Sequence, residues 1–144
     1  MSRLIMHNND PQEEHLLKPV LRLFPKREYH RFKEVPFGRK RIDMWCVCKT
    51  KENLEVCVEL KVKDWRRALW QAIINFQIAK QSYIAIWYKY IQRAQKQNDL
   101  LKQYGVGLIS VRPKSAKIII PSKDNVQETW RENKKDSYKS LIRV

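Results

Sequence analysis

Residues 56–65 read VCVELKVKDW, and this stretch decides how the fold is interpreted. Its first half is apolar and rich in valine, which is typical of a buried β-strand. The strand then ends in Glu59, Leu60 and Lys61, so a carboxylate and an ammonium lie two positions apart on one face. A buried strand that ends in opposite charges predicts a functional site at that end.

Three antiparallel strands are predicted around this stretch, because apolar runs are separated by residues that favour turns. Pro36, Phe37 and Gly38 form the first turn, and the polar sequence KTKEN at 49–53 forms the second. Three more strands follow, and the first of these is nearly all apolar, as expected of a central strand buried on both faces. The predicted strand bounds are 29–35, 41–48, 54–61, 82–87, 106–111 and 117–120.

Three helices are predicted to flank the sheet, at 10–24, 64–80 and 91–104. Asp10 as N-cap and Glu13 in a capping box begin the first, and Pro19 predicts a kink within it. Asp64 caps the second helix. Gly105 ends the third in a position where a left-handed residue is favoured.

Length and composition predict one domain. A chain of 144 residues, 43% of them hydrophobic, suits a single core. We therefore predict one α/β domain over 1–144, with the element order α-β-β-β-α-β-α-β-β and a central mixed sheet flanked by helices. A polar extension from about 121 carries Trp130 and Tyr138 and is predicted to be helical.

The charge of the chain predicts a polyanionic partner. Lys and Arg number 30 against 15 Asp and Glu, which gives a net charge of +15. Nucleic acid is the leading partner class, since a peripheral membrane protein usually shows a basic amphipathic helix or a lipidation signal, and neither is found. There is no spanning apolar run, and residues 1–11 lack the apolar core of a signal peptide. We expect a cytoplasmic protein that acts on DNA.

The three cysteines are Cys46, Cys48 and Cys57. They form no C-x-x-C pair, and no histidine lies at zinc-ligand spacing from them. The expected strand faces also argue against a disulfide. We interpret all three as small buried hydrophobic residues.

Asp43 interrupts the apolar series of the strand that precedes Glu59. On alternation, Ile42, Met44 and Cys46 share one face, and Asp43 shares the other with Arg41, Trp45 and Val47. If the two strands pair, Asp43 stands beside Glu59. Two such carboxylates repel one another unless a cation lies between them, and their hard oxygens suit Mg²⁺ or Mn²⁺. With Lys61 nearby, the chemistry that this arrangement predicts is phosphodiester hydrolysis. The alternative is that Glu59 and Lys61 form an ordinary exposed charge pair at a sheet edge.

RID at 41–43 and ELK at 59–61, separated by fifteen residues, resemble the motif of the PD-(D/E)XK nuclease superfamily, which includes restriction endonucleases and Holliday junction resolvases. The family's core order, α, three β, α, β, is also the order predicted here, and the resemblance covers roughly 10–111. It implies a restriction-endonuclease-like fold. It also implies that Asp43, Glu59 and the main-chain carbonyl of Leu60 bind the metal, and that Lys61 is the catalytic lysine. The family's proline is absent, because Ile42 precedes Asp43.

Two more residues take roles from the resemblance. Many members place a glutamate on the first helix near the metal, and Glu14 is predicted here because Glu13 already has the capping-box role. Gln71 matches a glutamine on the second helix in some branches of the family. The alternatives are a solvated helix acid for Glu14 and a plain surface amide for Gln71.

Basic residues bracket the predicted site, where they would attract a phosphate backbone. Trp70 is the better candidate for stacking on a base, because Trp65 lies on the apolar stripe of its helix and is expected in the core. The predicted nucleic-acid-binding residues are Arg39, Lys40, Arg41, Lys63, Arg66, Arg67 and Trp70.

We therefore expect a Mg²⁺- or Mn²⁺-dependent deoxyribonuclease. No separate target-recognition domain is visible, which favours structure-selective or weakly sequence-specific cleavage. The alternatives are a DNA-binding protein that keeps the nuclease fold without the chemistry, and a basic structural or regulatory protein with an accidental acid pair. A homodimer is an open alternative, because cutting two strands needs two sites.

Overall fold

The computed structural model describes residues 10–125 and 140–144, which form a seven-stranded sheet. The strands are β1 (Tyr29–Phe37), β2 (Lys40–Cys48), β3 (Glu55–Lys61), β4 (Gln81–Trp87), β5 (Gly107–Val111), β6 (Ala116–Ile120) and β7 (Ile142–Arg143). Their order in the sheet is β6-β5-β4-β3-β2-β1-β7. β4 pairs in parallel with β3 and β5, while the other neighbours are antiparallel. The predicted α/β class with a mixed sheet is confirmed.

Helices cover both faces of this sheet. One face carries a 3-10 turn at Glu13–Leu16 and the short helix α1 (Leu17–Leu21), whose buried side chains pack on β3, β4 and β5. The opposite face carries α2 (Trp65–Asn75), α3 (Ile91–Gln95) and α4 (Asn98–Tyr104), the last two after a 3-10 turn at Tyr88–Tyr90. None of the helices in the described ranges is long and apolar enough to span a membrane.

β4 is buried on both faces, as its apolar sequence predicts. Tyr83 and Ala85 belong to the apolar cluster under α1, whereas Ile84 and Ile86 belong to the cluster under α2. Burial on both faces explains the nearly continuous apolar run. β4 is therefore an interior strand, paired on its two sides with β3 and β5.

The hairpin between β1 and β2 is longer than predicted. β1 continues through Pro36 and Phe37, which pair with Arg41 and Lys40, so the predicted turn at 36–38 is wrong for these two residues. The turn is confirmed at Gly38, whose φ is 61°, and it extends to Arg39. Pro36 is tolerated because it lies beyond the part of β1 that pairs with β7.

The predicted capping box at the start of the first helix is wrong. The 3-10 turn begins at Glu13, and its N-cap residue Gln12 makes no side-chain capping bond. The carboxylate of Asp10 instead accepts a hydrogen bond from the hydroxyl of Tyr90 at 2.5 Å. Asp10 therefore binds Tyr90, which is distant in sequence, and the predicted local cap is not formed.

The second and third helices are shorter than predicted. Asp64 does cap α2, because its carboxylate accepts the Arg67 amide at 3.2 Å, but the helix ends at Asn75 rather than near Lys80. The predicted third helix is interrupted between α3 and α4. Its end is confirmed, since Gly105 has a φ of 75°.

The alternation of faces reverses in β1 and β2. Glu34 has a φ of 51°, in the left-handed region, and lies opposite Asp43 in the antiparallel register. Across this pair, Ile42 packs in the same apolar cluster as Trp45, although they are three positions apart and regular alternation would place them on opposite faces. Met44 packs on the opposite face. The prediction that Ile42 and Met44 share a face is therefore wrong, because the reversal lies between them.

The C-terminal part of the described chain belongs to the sheet. Ile142 and Arg143 form β7 and pair with β1, so the predicted helix is wrong for these residues. Trp130 and Tyr138, also assigned to that helix, lie outside the described residues. An extension that is polar in sequence thus ends in a strand that covers part of β1.

The three cysteines are free thiols. Cys46 and Cys57 are buried, as predicted. Cys48 is only partly buried, because it ends β2, and its Sγ accepts the Lys51 amide at 3.3 Å in the following turn. The prediction of a buried thiol is therefore wrong for Cys48.

Candidate active site

Asp43 and Glu59 meet where β2 and β3 separate. The backbone pairing of these strands ends at Met44 and Val58, one residue before the two carboxylates. Beyond this point the Leu60 amide donates a hydrogen bond to Oδ2 of Asp43 at 2.8 Å. Asp43 and Glu59 lie directly beyond the last paired residues of the two strands, and each affects the pKa of the other, so the two carboxyl groups lie near one another as predicted.

Glu59 is a buried carboxyl group, with 1% of its surface exposed. Its Oε2 accepts a hydrogen bond from Nδ2 of Asn75 at 2.6 Å and lies 3.4 Å from Nζ of Lys40. Burial, followed by the charge of Asp43, raises the pKa of Glu59 to about 7. Burial also raises the pKa of Asp43. The pair therefore resists carrying two negative charges at once.

Lys40 reaches this site from the first residue of β2. Its Nζ donates to Oδ1 of Asn75 at 2.7 Å and to the main-chain oxygen of Gln71 at 3.2 Å. The sequence predicts that Lys40 contacts phosphate. In the structure its ammonium instead contacts Glu59 and two groups of α2. Sequence reasoning missed Asn75, although its spacing of four residues from Gln71 places both on one side of α2.

The side chains of Lys61 and Glu59 point to helical segments on different faces of the sheet. Nζ of Lys61 donates to both carboxylate oxygens of Glu13, at 3.0 and 3.2 Å, whereas Glu59 contacts α2. The prediction that the two side chains are neighbours on one surface is wrong, because Lys61 lies at the strand end and its long stem reaches the first 3-10 turn. Lys61 still lies near enough to Asp43 to oppose the rise in its pKa.

Glu13, rather than Glu14, is the acid that contacts the site lysine. Glu14 is predicted only because a capping box would occupy Glu13, and that capping box is absent. Both residues line the cleft described below. The catalytic role of Glu14 remains a prediction, but the reason for choosing it over Glu13 is gone.

Gln71 lies beside the site as predicted. Its main-chain oxygen binds Lys40, and its side-chain Oε1 is buried with no hydrogen-bond partner among the described residues. Buried polar atoms are nearly always paired, so this oxygen is available to a ligand or water.

Asp43 and Leu60 open onto a cleft of about 720 Å³ between the first 3-10 turn and strands β1 to β3. Carboxylates dominate its charge, although the chain as a whole is strongly basic. Sequence reasoning missed Lys33 and Glu34, whose strand pattern carries no signal for a cleft. The charged lining residues are Glu13, Glu14, Lys33, Glu34 and Asp43.

The other predicted phosphate contacts lie on the surface around this site. Arg39 and Arg41 are exposed at the tip of the β1–β2 hairpin. Lys63 is exposed just after β3, with its Nζ 6.0 Å from the centre of the Tyr90 ring. Arg66 and Arg67 are exposed in the first turn of α2.

The two tryptophans of α2 differ as predicted. Trp65 packs against the apolar cluster under the helix, and the Arg66 guanidinium lies 5.3 Å from its ring centre. Trp70 is 61% exposed, and its ring centre lies 6.4 Å from that of Tyr104 on α4. Ile74, one turn further along α2, is also exposed. Trp70, Ile74 and Tyr104 form an exposed apolar surface, here called the aromatic patch.

Few side chains of the described residues are placed to bind a metal ion at this site. Within residues 10–125 and 140–144, no group of three or more His, Cys, Asp or Glu side chains is arranged to hold one. The site offers two carboxylates, Asp43 and Glu59, with the Leu60 main chain beside them. Carboxylate oxygens are the hard ligands that Mg²⁺ and Mn²⁺ prefer. Such an ion would also remove the repulsion between the two carboxylates when both are ionised.

No model of a known protein family matches the chain, and no curated protein matches it. Among solved structures, it is similar to a protein of unknown function from Silicibacter pomeroyi. The TM-score is 0.63 at 18% sequence identity, and the match covers 90% of this chain and 84% of that chain. This likeness concerns the fold alone.

Proposed function

We propose that the protein is a metal-dependent nuclease that hydrolyses phosphodiester bonds of DNA. The observation that carries this proposal is that Asp43 lies beside Glu59 at the separated ends of β2 and β3, with Lys61 near enough to oppose the rise in the pKa of Asp43. The motif spacing RID and ELK and the order of elements support a restriction-endonuclease-like fold within the PD-(D/E)XK superfamily. The similar structure from Silicibacter pomeroyi adds nothing on function.

The chain's own residues have definable roles in this chemistry. Asp43 and Glu59, with the Leu60 carbonyl as a further ligand, would hold a divalent ion, which would polarise a phosphoryl oxygen and supply an activated water. The Leu60 amide fixes Asp43 through its 2.8 Å bond. Lys61 would stabilise the negative charge that develops on the phosphoryl oxygens, and Glu13, which lines the cleft, holds its ammonium.

The charge distribution supports a phosphate substrate that needs a cation. The hairpin and α2 carry exposed arginines, which attract phosphate, but the cleft itself is lined by carboxylates, which repel it. A divalent ion in the cleft removes this conflict. Structure-selective or weakly sequence-specific cleavage is proposed, because the described chain carries no separate recognition domain.

A cleavage panel tests this proposal. Linear duplex, nicked, flapped, four-way and single-stranded DNA are incubated with the protein, with Mn²⁺ or with EDTA. We expect cleavage of at least one form only with Mn²⁺. Binding without cleavage of any form would instead favour the non-catalytic DNA-binding alternative.

DNA affinity is expected to fall steeply with salt. Each phosphate contact that releases a counterion adds about −0.9 to the slope of log K against log salt for duplex DNA. Fluorescence anisotropy at several salt concentrations measures the slope, and Arg39→Ala is expected to reduce it by about 1. Lys96→Ala, an exposed lysine away from the predicted contacts, is the matched control. A flat affinity in the parent protein would exclude nucleic acid as the partner.

Trp70→Ala is expected to weaken binding of single-stranded DNA by roughly 5- to 150-fold, because loss of one base–aromatic stack costs about 1–3 kcal/mol. Affinity for fully paired duplex is expected to change little, since its bases are not free to stack. Ile118→Ala, an exposed apolar residue on β6, is the control. Equal affinities of parent and Trp70→Ala for single strands would remove the aromatic patch from the DNA surface.

A further inference from the structure

The ammonium of Lys40 is held in a partly buried position beside the proposed metal ligands. Its three acceptors are Oδ1 of Asn75 at 2.7 Å, the main-chain oxygen of Gln71 at 3.2 Å and Oε2 of Glu59 at 3.4 Å. The two shorter contacts are to neutral groups of α2. They keep the ammonium in place without help from Glu59, so Lys40 is a fixed positive charge next to that carboxylate.

Asn75 fixes the other side of this arrangement. It is fully buried, and its amide group accepts from Lys40 through Oδ1 while it donates to Oε2 of Glu59 through Nδ2 at 2.6 Å. Both Lys40 and Asn75 thus engage the same oxygen of Glu59. Neither contact holds Oε1.

We propose that Lys40 is a built-in cation for Glu59, which competes with a divalent ion for this carboxylate and keeps the affinity of the free protein for the ion low. The inference rests on the proposed function and concerns how the same site is filled. A fixed ammonium stabilises the buried carboxylate, and it repels a second cation at the same group. A phosphate group brings negative charge and oxygen ligands, so the ion binds tightly only together with nucleic acid.

A role for Lys40 in alignment alone predicts the opposite change in ion affinity. If Lys40 served only to align Asn75 and Glu59, its removal would loosen a metal ligand and weaken ion binding, as loss of such supporting contacts usually does. The direction of the change in ion affinity therefore separates competition from alignment.

The test is Mn²⁺ binding to the free protein, measured by the electron paramagnetic resonance signal of unbound Mn²⁺ at fixed pH and ionic strength. Lys40→Met is expected to bind Mn²⁺ about tenfold more tightly than the parent, or more. Lys40→Gln, which is neutral but keeps a donor for Asn75, is expected to do the same and protects the test against a folding defect. Lys40→Arg keeps the charge and is expected to bind like the parent.

Lys33→Met is the matched control, because Lys33 lines the same cleft and has no hydrogen bond to Glu59 in the described structure. Its affinity is expected to change less than threefold. Equal gains in Lys33→Met and Lys40→Met, or weaker binding in Lys40→Met and Lys40→Gln, would overturn the inference. Absence of Mn²⁺ binding from the parent and all variants would overturn the proposed metal-dependent function as well, whereas a parent that binds Mn²⁺ as tightly as Lys40→Met would overturn the inference alone.

Discussion

Asp43→Asn is expected to lower the single-turnover rate of DNA cleavage by roughly three orders of magnitude or more, because it replaces a charged metal ligand with a neutral amide. The fold should survive. The asparagine oxygen can still accept the Leu60 amide that Asp43 Oδ2 accepts at 2.8 Å. DNA affinity should stay equal or rise, because a negative charge facing the phosphate is removed.

Glu34→Gln is the matched control for this substitution. Glu34 lines the same cleft, and its change removes the same charge without touching the Leu60 amide. Its cleavage rate should remain within a few-fold of the parent. An Asp43→Asn protein that cuts as fast as the parent would show that Asp43 does not hold the metal.

Lys61→Ala is expected to reduce the rate of cleavage by roughly 100-fold or more while metal binding persists, because one electrostatic stabiliser of the transition state is lost. Its ion pair with Glu13 is half open to solvent, so the free energy of unfolding should fall by only about 0–1 kcal/mol. Single-turnover cleavage at saturating protein and Mn²⁺ measures the chemical step without the binding step.

Lys63→Ala is the control for Lys61→Ala. Lys63 carries the same charge two residues further on, but it is exposed and lies near the Tyr90 ring rather than near Asp43. Its loss should weaken DNA binding and leave the saturated rate intact. Equal saturated rates for the two variants would mean that Lys61 has no part in catalysis.

Local sequence signals predict the sheet and the centre of the site well. Valine-rich and alternating runs mark six of the strands to within about two residues at each end, because burial on a sheet leaves a direct pattern. The proximity of Asp43 to Glu59 follows from the register of two strands joined by a short turn, because these residues lie directly beyond the last pair, Met44 and Val58. Asp64 marks the start of α2 because capping is a local interaction.

Long-range contacts explain what the sequence does not predict. Glu13 has a capping signal, yet its partner Lys61 lies 48 residues away. Lys40 resembles its arginine neighbours in sequence, and only the fold brings it to Asn75, 35 residues further on. β7 is two residues long, and its partner β1 is far away in sequence, so no local pattern predicts it.

The reversal of faces at Glu34 and Asp43 sets the tip of the β1–β2 hairpin apart from the inner sheet. Val35 and Ile42 pack beside Trp45 instead of continuing the alternation of the inner strands. Changes of length or sequence near Gly38 are therefore expected to alter the hairpin tip and to leave the register of β2 with β3 intact. The hairpin tip is thus a segment that evolution or protein engineering can vary with little effect on the pairing of the inner strands.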